Sequence, residues 1–135
     1  MMQSQSTLGL TTDLHTNYED ALKRVIEALK TEGFGILTEI DMQDTFKKKL
    51  DVDFRPYKIF GACNPTFAHR ALTAAPEAGL LLPCNVTVIQ MEDDLIQVSV
   101  VDPLVMMSVI PNGTLKEIAK EVRERLQRVM KSLEV

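Results

Sequence analysis

Apolar residues recur at helical spacing in two parts of the chain. The first set follows the capping-box pair Thr16 and Glu19 and stops at Gly33, a residue typical of helix C-termini. A second pair, Thr114 and Glu117, precedes the longer set. The two stripes are Leu22, Val25, Ile26 and Leu29, then Leu115, Ile118, Ala119, Val122, Leu126, Val129, Met130 and Leu133. They predict an amphipathic helix in the first half of the chain and another at its end.

Alternating apolar and polar residues predict five strands. An edge strand is expected within residues 5–14, and two more over residues 34–40 and 57–63. Residues 84–91 and 95–101, on either side of Glu92, Asp93 and Asp94, predict a hairpin. In the strand over residues 34–40, alternation puts Leu37 on one face. The other face carries four residues: Phe34, Ile36, Thr38 and Ile40.

Short helices are predicted between the strands. Asp41 can cap a helix through residues 45–50, and Asn64 with Pro65 begins another that is broken at Ala75 and Pro76. The order of elements is then β, α, β, α, β, α, β, β, α. We predict one sheet with helices covering a face, and periodicity leaves parallel and antiparallel pairing both open.

Composition and charge limit the classes of function. The 135 residues, 45% hydrophobic and 25% charged, predict one domain over residues 1–135. A net charge of −4 without a cationic face argues against nucleic acid. No apolar run of about 18 residues predicts a membrane span, and residues 1–10 lack the features of a signal peptide. We therefore expect a cytoplasmic chain whose two cysteines are free thiols.

The candidate chemistry centres on Cys63, Asn64 and His69. Asn64 and Pro65 are explained as a helix start, whereas Cys63 just before that helix is where a thiol pKa can be lowered. Alternation nevertheless favours a buried, inert Cys63, because it shares a strand face with Tyr57, Ile59 and Gly61. Both interpretations of Cys63 stay open.

A second candidate cluster surrounds Cys84. This thiol alternates with Val86 and Val88 and is expected to face the core. Asn85 is expected to reach Asn64 if the two strand ends meet. Together, Cys63, His69 and Cys84 would offer three ligands to zinc or copper, although no fourth ligand is evident and we predict no cofactor.

Two further features concern partners and catalysis. The apolar segment over residues 104–110, LVMMSVI, is expected to be a core strand or turn, or alternatively a dimer surface rich in adaptable methionine. The nucleotide-binding and hydrolase motifs G-x-x-x-x-G-K-[ST], G-x-G-x-x-G, G-x-S-x-G and H-E-x-x-H do not occur. On the last predicted helix, Glu121 with Arg125 and Glu124 with Arg128 stand at the i,i+4 spacing of helix ion pairs.

Four segments carry a resemblance to a known family: GFGILTEID, PYKIFGACNP, GLLLPCNVTV and VDP. With this order and spacing the chain resembles the bacterial and archaeal domain of unknown function 302 family over about residues 18–126. The resemblance implies an α+β fold of the TBP-like kind, with a mostly antiparallel sheet backed by helices, and a homodimer. It implies no activity. The matching positions are Gly33, Gly35, Asp41, Gly61, Asn64, Pro65, Gly79, Leu82, Pro83 and Val86.

Antiparallel pairing would decide how close the two cysteines lie. Cys63 ends one predicted strand and Cys84 begins the next, so antiparallel strands would place both at one edge of the sheet. A parallel crossover would instead separate them by about 20 Å, the length of seven residues at about 3.3 Å each.

Three functions remain after these arguments. The first is a non-enzymatic homodimeric module that binds a small ligand or partner at the sheet edge near Cys63, Asn64, His69, Cys84 and Asn85. The second is a thiol- or metal-dependent enzyme or redox protein, with Cys63 as nucleophile, Cys84 as resolving thiol and His69 as base. The third is a purely structural interaction subunit.

Overall fold

The computed structural model describes residues 8–134, and its strands form a single antiparallel sheet. The strands are β1 (Gly9–Leu14), β2 (Gly35–Asp41), β3 (Tyr57–Cys63), β4 (Cys84–Glu92) and β5 (Leu95–Val101). They lie in the order β1-β5-β4-β3-β2, and every pairing is antiparallel. The α+β class is confirmed, as is the hairpin of β4 and β5. The predicted edge strand is confirmed from Gly9, whereas residues 5–7 lie outside the described residues.

Helices connect the strands, and most of them pack together on one face of the sheet. They are α1 (Tyr18–Thr31), α2 (Met42–Leu50), α3 (Pro65–Ala74), a 3₁₀ helix (Pro76–Leu81), α4 (Pro103–Met107) and α5 (Gly113–Leu133). The long helix α5 contacts α1, α3 and α4. Among residues 8–134, none of the helices combines the length and hydropathy that a bilayer span requires.

The core lies between this helical layer and one face of the sheet. Alternate residues of β4 and β5 point into it, and pairs such as Val88 with Val98 are fully buried. The helices add the apolar stripes that their sequences predict, with Leu29 of α1 and Leu126 of α5 no more than 1% exposed. Burial of these stripes is what holds the helices on the sheet.

Asparagine residues, rather than the predicted capping boxes, begin α1 and α5. Asn17 Oδ1 accepts a hydrogen bond from the Asp20 backbone N–H at 2.8 Å, and Thr16 donates to the Asp20 carboxylate instead. Asn112 Oδ1 accepts from the Leu115 N–H at 3.1 Å. The two capping-box predictions are therefore wrong, because asparagine is the better N-cap residue and one lies within two residues of each threonine.

A β-bulge in β2 overturns the predicted alternation of that strand. Ile36 pairs with Ala62 on the helix side, yet Thr38 pairs with Gly61 on the opposite side, and Leu37 lies between the two pairs. An extra residue in one strand reverses the facing of every residue after it. Phe34 and Ile36 therefore do not share a face with Thr38, and Leu37 is left 66% exposed.

The apolar segment over residues 104–110 is not a core strand: it is helical through Met107 and forms the predicted turn only over residues 108–110. Asp102 caps α4 through a bond from the Leu104 N–H at 3.0 Å and also accepts from Arg123 Nε at 2.9 Å. Within α4, Met107 is buried and Val105 is 40% exposed. The apolar residues of the segment therefore divide between the core and the surface.

Gly61 is required where β3 passes between two side chains. A Cβ at this position would collide with Thr38 Oγ1 and would lie 2.7 Å from Pro83 Cγ, in a ring that cannot rotate away. We expect Gly61→Ala to lower the free energy of unfolding by about 1 to 3 kcal/mol, the usual cost of overpacking. Urea unfolding followed by circular dichroism measures this change.

The matched control for Gly61→Ala is Gly35→Ala on the neighbouring strand. A Cβ on Gly35 meets no atom within 4 Å, so this variant should unfold within about 0.5 kcal/mol of the parent. Equal stability of the two variants would contradict the steric argument.

Candidate functional site

The register of β3 and β4 brings the two cysteines to one edge of the sheet. Ala62 pairs with Cys84, so Cys63 at the end of β3 lies beside the start of β4. Antiparallel pairing, on which the proximity of the cysteines depends, is confirmed. The next question is what surrounds the two thiols.

An apolar pocket of about 290 Å³ lies at this edge, between the sheet and the helices. The strands contribute Ala62 and Cys84, and Leu37 comes from the bulge. The helical side of its lining includes Phe67, Ala68, Ala71 and Leu72 of α3, Met106 and Met107 of α4, and Leu115, Ile118, Ala119 and Val122 of α5. Apart from the two thiols, Asn64 is the one polar side chain in this lining.

Small residues create the space for the pocket. Ala62 on the sheet faces Ala68 and Ala71 on α3 and Ala119 on α5, and Gly79 lies in the 3₁₀ helix. Larger side chains at these positions would fill the gap, as they do in the core between β4, β5 and α1. The pocket therefore exists because the residues at this edge of the sheet are small.

Asn64 holds the pocket wall in place. Its Oδ1 accepts from the Phe67 N–H at 3.4 Å, and its Nδ2 donates to the Glu32 carbonyl at 3.4 Å. The predicted helix start at Asn64 and Pro65 is confirmed. Gly33 has a positive φ of 85° and lies against Asn64 Nδ2, at 2.8 Å from where a Cβ would sit.

Cys84 is buried on the core side, as its alternation with Val86 and Val88 predicts. It is 6% exposed. Burial raises the pKa of this thiol to about 11, and the neighbouring Cys63 acts in the same direction. Because the thiolate is the nucleophilic form, Cys84 is a poor nucleophile at neutral pH.

Cys63 does not face the core with its strand neighbours. Phe60 and Ala62 are the residues of β3 that face the core, whereas Cys63 alternates with them, pairs with Gly35, is partly exposed and lines the pocket. Burial raises its pKa. Cys63 is therefore not fully buried, contrary to the prediction from its strand alternation, and its pKa is raised rather than lowered because partial loss of solvent disfavours the thiolate.

His69 and Asn85 lie outside the pocket. His69 is exposed on α3, and Asn85 is exposed on the far face of the sheet, where it pairs with Gly61. The predicted contact of Asn85 with Asn64 is replaced by the bonds of Asn64 to Glu32 and Phe67. Between residues 8 and 134, no three His, Cys, Asp or Glu side chains form a group that could hold a metal ion, so Cys63, His69 and Cys84 are not assembled into one.

A charged groove of about 660 Å³ adjoins the pocket and shares Asn64 and Phe67 with it. Its charged side chains are Arg70, Glu121, Glu124, Arg125 and Arg128. Two guanidinium groups lie over the Phe67 ring, that of Arg70 at 5.5 Å and that of Arg125 at 5.1 Å from its centre.

The ion pairs of the groove differ from the i,i+4 pairs predicted for α5. Arg70 Nη1 lies 2.7 Å from Glu121, and Arg128 makes two bonds to Glu32, at 2.9 and 3.1 Å. Arg125 Nη1 donates to the Glu32 carbonyl at 3.1 Å. Arg125 and Arg128 of α5 reach Glu32 at the end of α1, and Glu121 of α5 pairs with Arg70 of α3, because tertiary packing brings these partners together.

The sequence indicates the edge of the sheet but not most of the pocket lining. It predicts only a short helix for Phe67, Ala68 and Ala71, and only an apolar segment for Met106 and Met107. The spacing of Ala68 and Ala71 puts two small side chains on one helix face, and this signal could have indicated a gap in packing.

Comparison with known proteins gives a family and a solved structure. The family described as Domain of unknown function DUF302 matches residues 10–133. The crystal structure of an uncharacterized conserved protein DUF302 from Bacillus stearothermophilus is 30% identical, with a TM-score of 0.85, and the match covers 93% of this chain and 98% of that chain. A search of curated proteins gave no match.

The thiols should react slowly while the protein is folded. A pKa of about 11, against the ordinary value of 9.0, leaves about one hundredth of the usual thiolate, so we expect iodoacetamide near pH 8 to modify Cys84 about 100-fold more slowly than in guanidinium chloride. Cys63 should be slowed less because it is partly exposed. Mass spectrometry of timed samples measures both rates, and equal rates for folded and unfolded Cys84 would contradict the burial argument.

Proposed function

The chain belongs to the family described as Domain of unknown function DUF302, and since that description names no activity, we propose a function from the pocket. We propose that this protein is a non-enzymatic module that binds a small apolar molecule between α3, α5 and the ends of β3 and β4. The observation that carries the proposal is the lining of the pocket, which is apolar except for Asn64 and two weakly acidic thiols.

The size of the pocket supports a ligand larger than a single ring. An engineered apolar cavity of about 150 Å³ stays dry and binds benzene, and the pocket here measures about 290 Å³. Leu37 and Leu72 line it and are 66% and 41% exposed. Exposed apolar side chains at a pocket entrance favour the uptake of an apolar molecule, because its binding removes them from water.

The thiol-dependent alternative has weaker support. A nucleophilic cysteine needs a lowered pKa or an adjacent base, whereas burial raises the pKa of both thiols. His69, the base considered for this mechanism, is exposed and outside the pocket lining. Both cysteines are therefore better explained as small apolar parts of the pocket wall.

A neutral apolar probe tests the proposed binding. We expect 1-octanol to bind at one saturable site by isothermal titration calorimetry. Ala68 lines the pocket, so Ala68→Phe should fill the space and weaken binding at least about tenfold, the loss that corresponds to about 1.4 kcal/mol.

Thr73→Phe is the matched control for the pocket-filling variant. Thr73 is an exposed residue of the same helix and is absent from the pocket lining, so this variant should bind 1-octanol as the parent does. Binding that survives Ala68→Phe unchanged, or no saturable binding by the parent, would overturn the proposal.

We also propose that two copies associate through the apolar rim of the pocket, which would form the homodimer that the family resemblance implies. Elements that border the pocket carry large exposed apolar side chains: Leu37 at 66%, Leu72 at 41%, Leu80 at 88%, Val105 at 40% and Val109 at 71%. Exposed apolar surface of this kind commonly marks an interface, since association removes it from water.

Sedimentation velocity over a range of concentrations tests the self-association. We expect the parent to dimerise and Leu80→Ser with Val109→Ser to weaken the dimer at least about tenfold, because both side chains are apolar and exposed. Leu50→Ser is the control, since Leu50 is 65% exposed on α2, away from the rim. The rim interface would be refuted if the parent stays monomeric. It would also be refuted if the double variant, Leu80→Ser with Val109→Ser, weakens the dimer no more than the control Leu50→Ser.

A further inference from the structure

Arg125 lies where the charged groove meets the apolar pocket, and it suggests what kind of molecule the pocket takes. We infer that the ligand is an amphiphile with a single negative charge, a carboxylate, whose apolar chain occupies the pocket and whose head group binds Arg125 in the groove. This inference rests on the proposed binding function and adds the class of the ligand.

The two cavities lie on either side of a shared wall. Asn64 and Phe67 line both of them. Phe67 separates the apolar side, made by α3, α4 and α5, from the side where Arg125 lies over its ring at 5.1 Å. In the proposed complex, a chain that passes the Phe67 ring would therefore bring its head group close to the guanidinium group.

Charge pairing within the groove distinguishes Arg125 from the other arginines. Arg70 is paired with Glu121, and Arg128 holds Glu32 through two bonds. Arg125 donates to a backbone carbonyl and contacts the Phe67 ring. Its charge helps to lower the pKa of the Glu32 carboxyl, but no Asp or Glu of residues 8–134 lies within ion-pair distance of it. Its remaining N–H donors can accept a carboxylate in the bidentate geometry that guanidinium groups favour.

The surroundings of Arg125 match one negative charge better than several. Glu121 and Glu124 also line the groove, and their carboxylates would repel a head group of higher charge. The groove includes Pro65 and Thr66 at the start of α3, where the partial positive charge of the helix adds a modest attraction for an anion. Because Arg125 is partly buried and held by two contacts, its guanidinium is already in position.

Octanoate and 1-octanol, which differ in the head group, test the inference by calorimetry on the full chain. We expect octanoate to bind the parent at least about tenfold more tightly than 1-octanol, as a charged hydrogen-bonded pair provides. Arg125→Gln should abolish this preference by weakening octanoate about tenfold while 1-octanol binding stays unchanged. Lys131→Gln, at an exposed position on the same helix, should leave both affinities as in the parent.

The outcomes separate the two proposals. Equal affinities of the parent for octanoate and 1-octanol would overturn the head-group inference and leave the apolar pocket standing. A preference for octanoate that persists in Arg125→Gln would overturn the role of Arg125. If neither probe binds the parent, the proposed binding function fails and the inference fails with it. Unchanged 1-octanol binding by Arg125→Gln also shows that the variant is folded.

Discussion

The side chain of Asn64 joins parts of the chain on which both cavities depend. Through one oxygen it caps α3, and through its nitrogen it reaches the Glu32 carbonyl at the end of α1. Arg125 donates to that same carbonyl. One short polar side chain therefore fixes α3 against α1 and, through Glu32, against α5. The apolar pocket lies on one side of this junction and the charged groove on the other.

A gap in packing beside a well-filled core gives the protein its candidate site. Valine pairs on β4 and β5 pack tightly under the helices, whereas alanines face one another where α3 and α5 approach the end of β3. Cavities lower stability, at a cost that grows with their volume. A pocket retained at that cost is most simply explained by an occupant, which is why binding is preferred here over a purely structural role.

Signals from neighbouring residues were sufficient to predict most of the fold. The predictions failed where residues distant in sequence form the contacts. Asp41 caps α2 and Asn64 caps α3 as predicted, because capping depends on neighbours within one turn. The facing of Thr38 was wrong because a bulge depends on the partner strand, here on Gly61 and the Pro83 ring beside it. The partners of Arg128 were wrong because Glu32, far away in sequence, competes better than Glu124.

The sequence by itself determined the order of the strands and of the helices α1, α2, α3 and α5, the hairpin and the helix start that follows Cys63, since periodicity and capping are properties of neighbouring residues. The 3₁₀ helix and α4 were not predicted. With the family resemblance it also indicated the edge where Cys63 and Cys84 meet. Only the tertiary structure decided what that edge contains. Burial raises the pKa of both thiols, His69 is exposed and outside the pocket lining, and Arg125 lies beside Phe67, because solvent access and distance arise only when separate elements pack together.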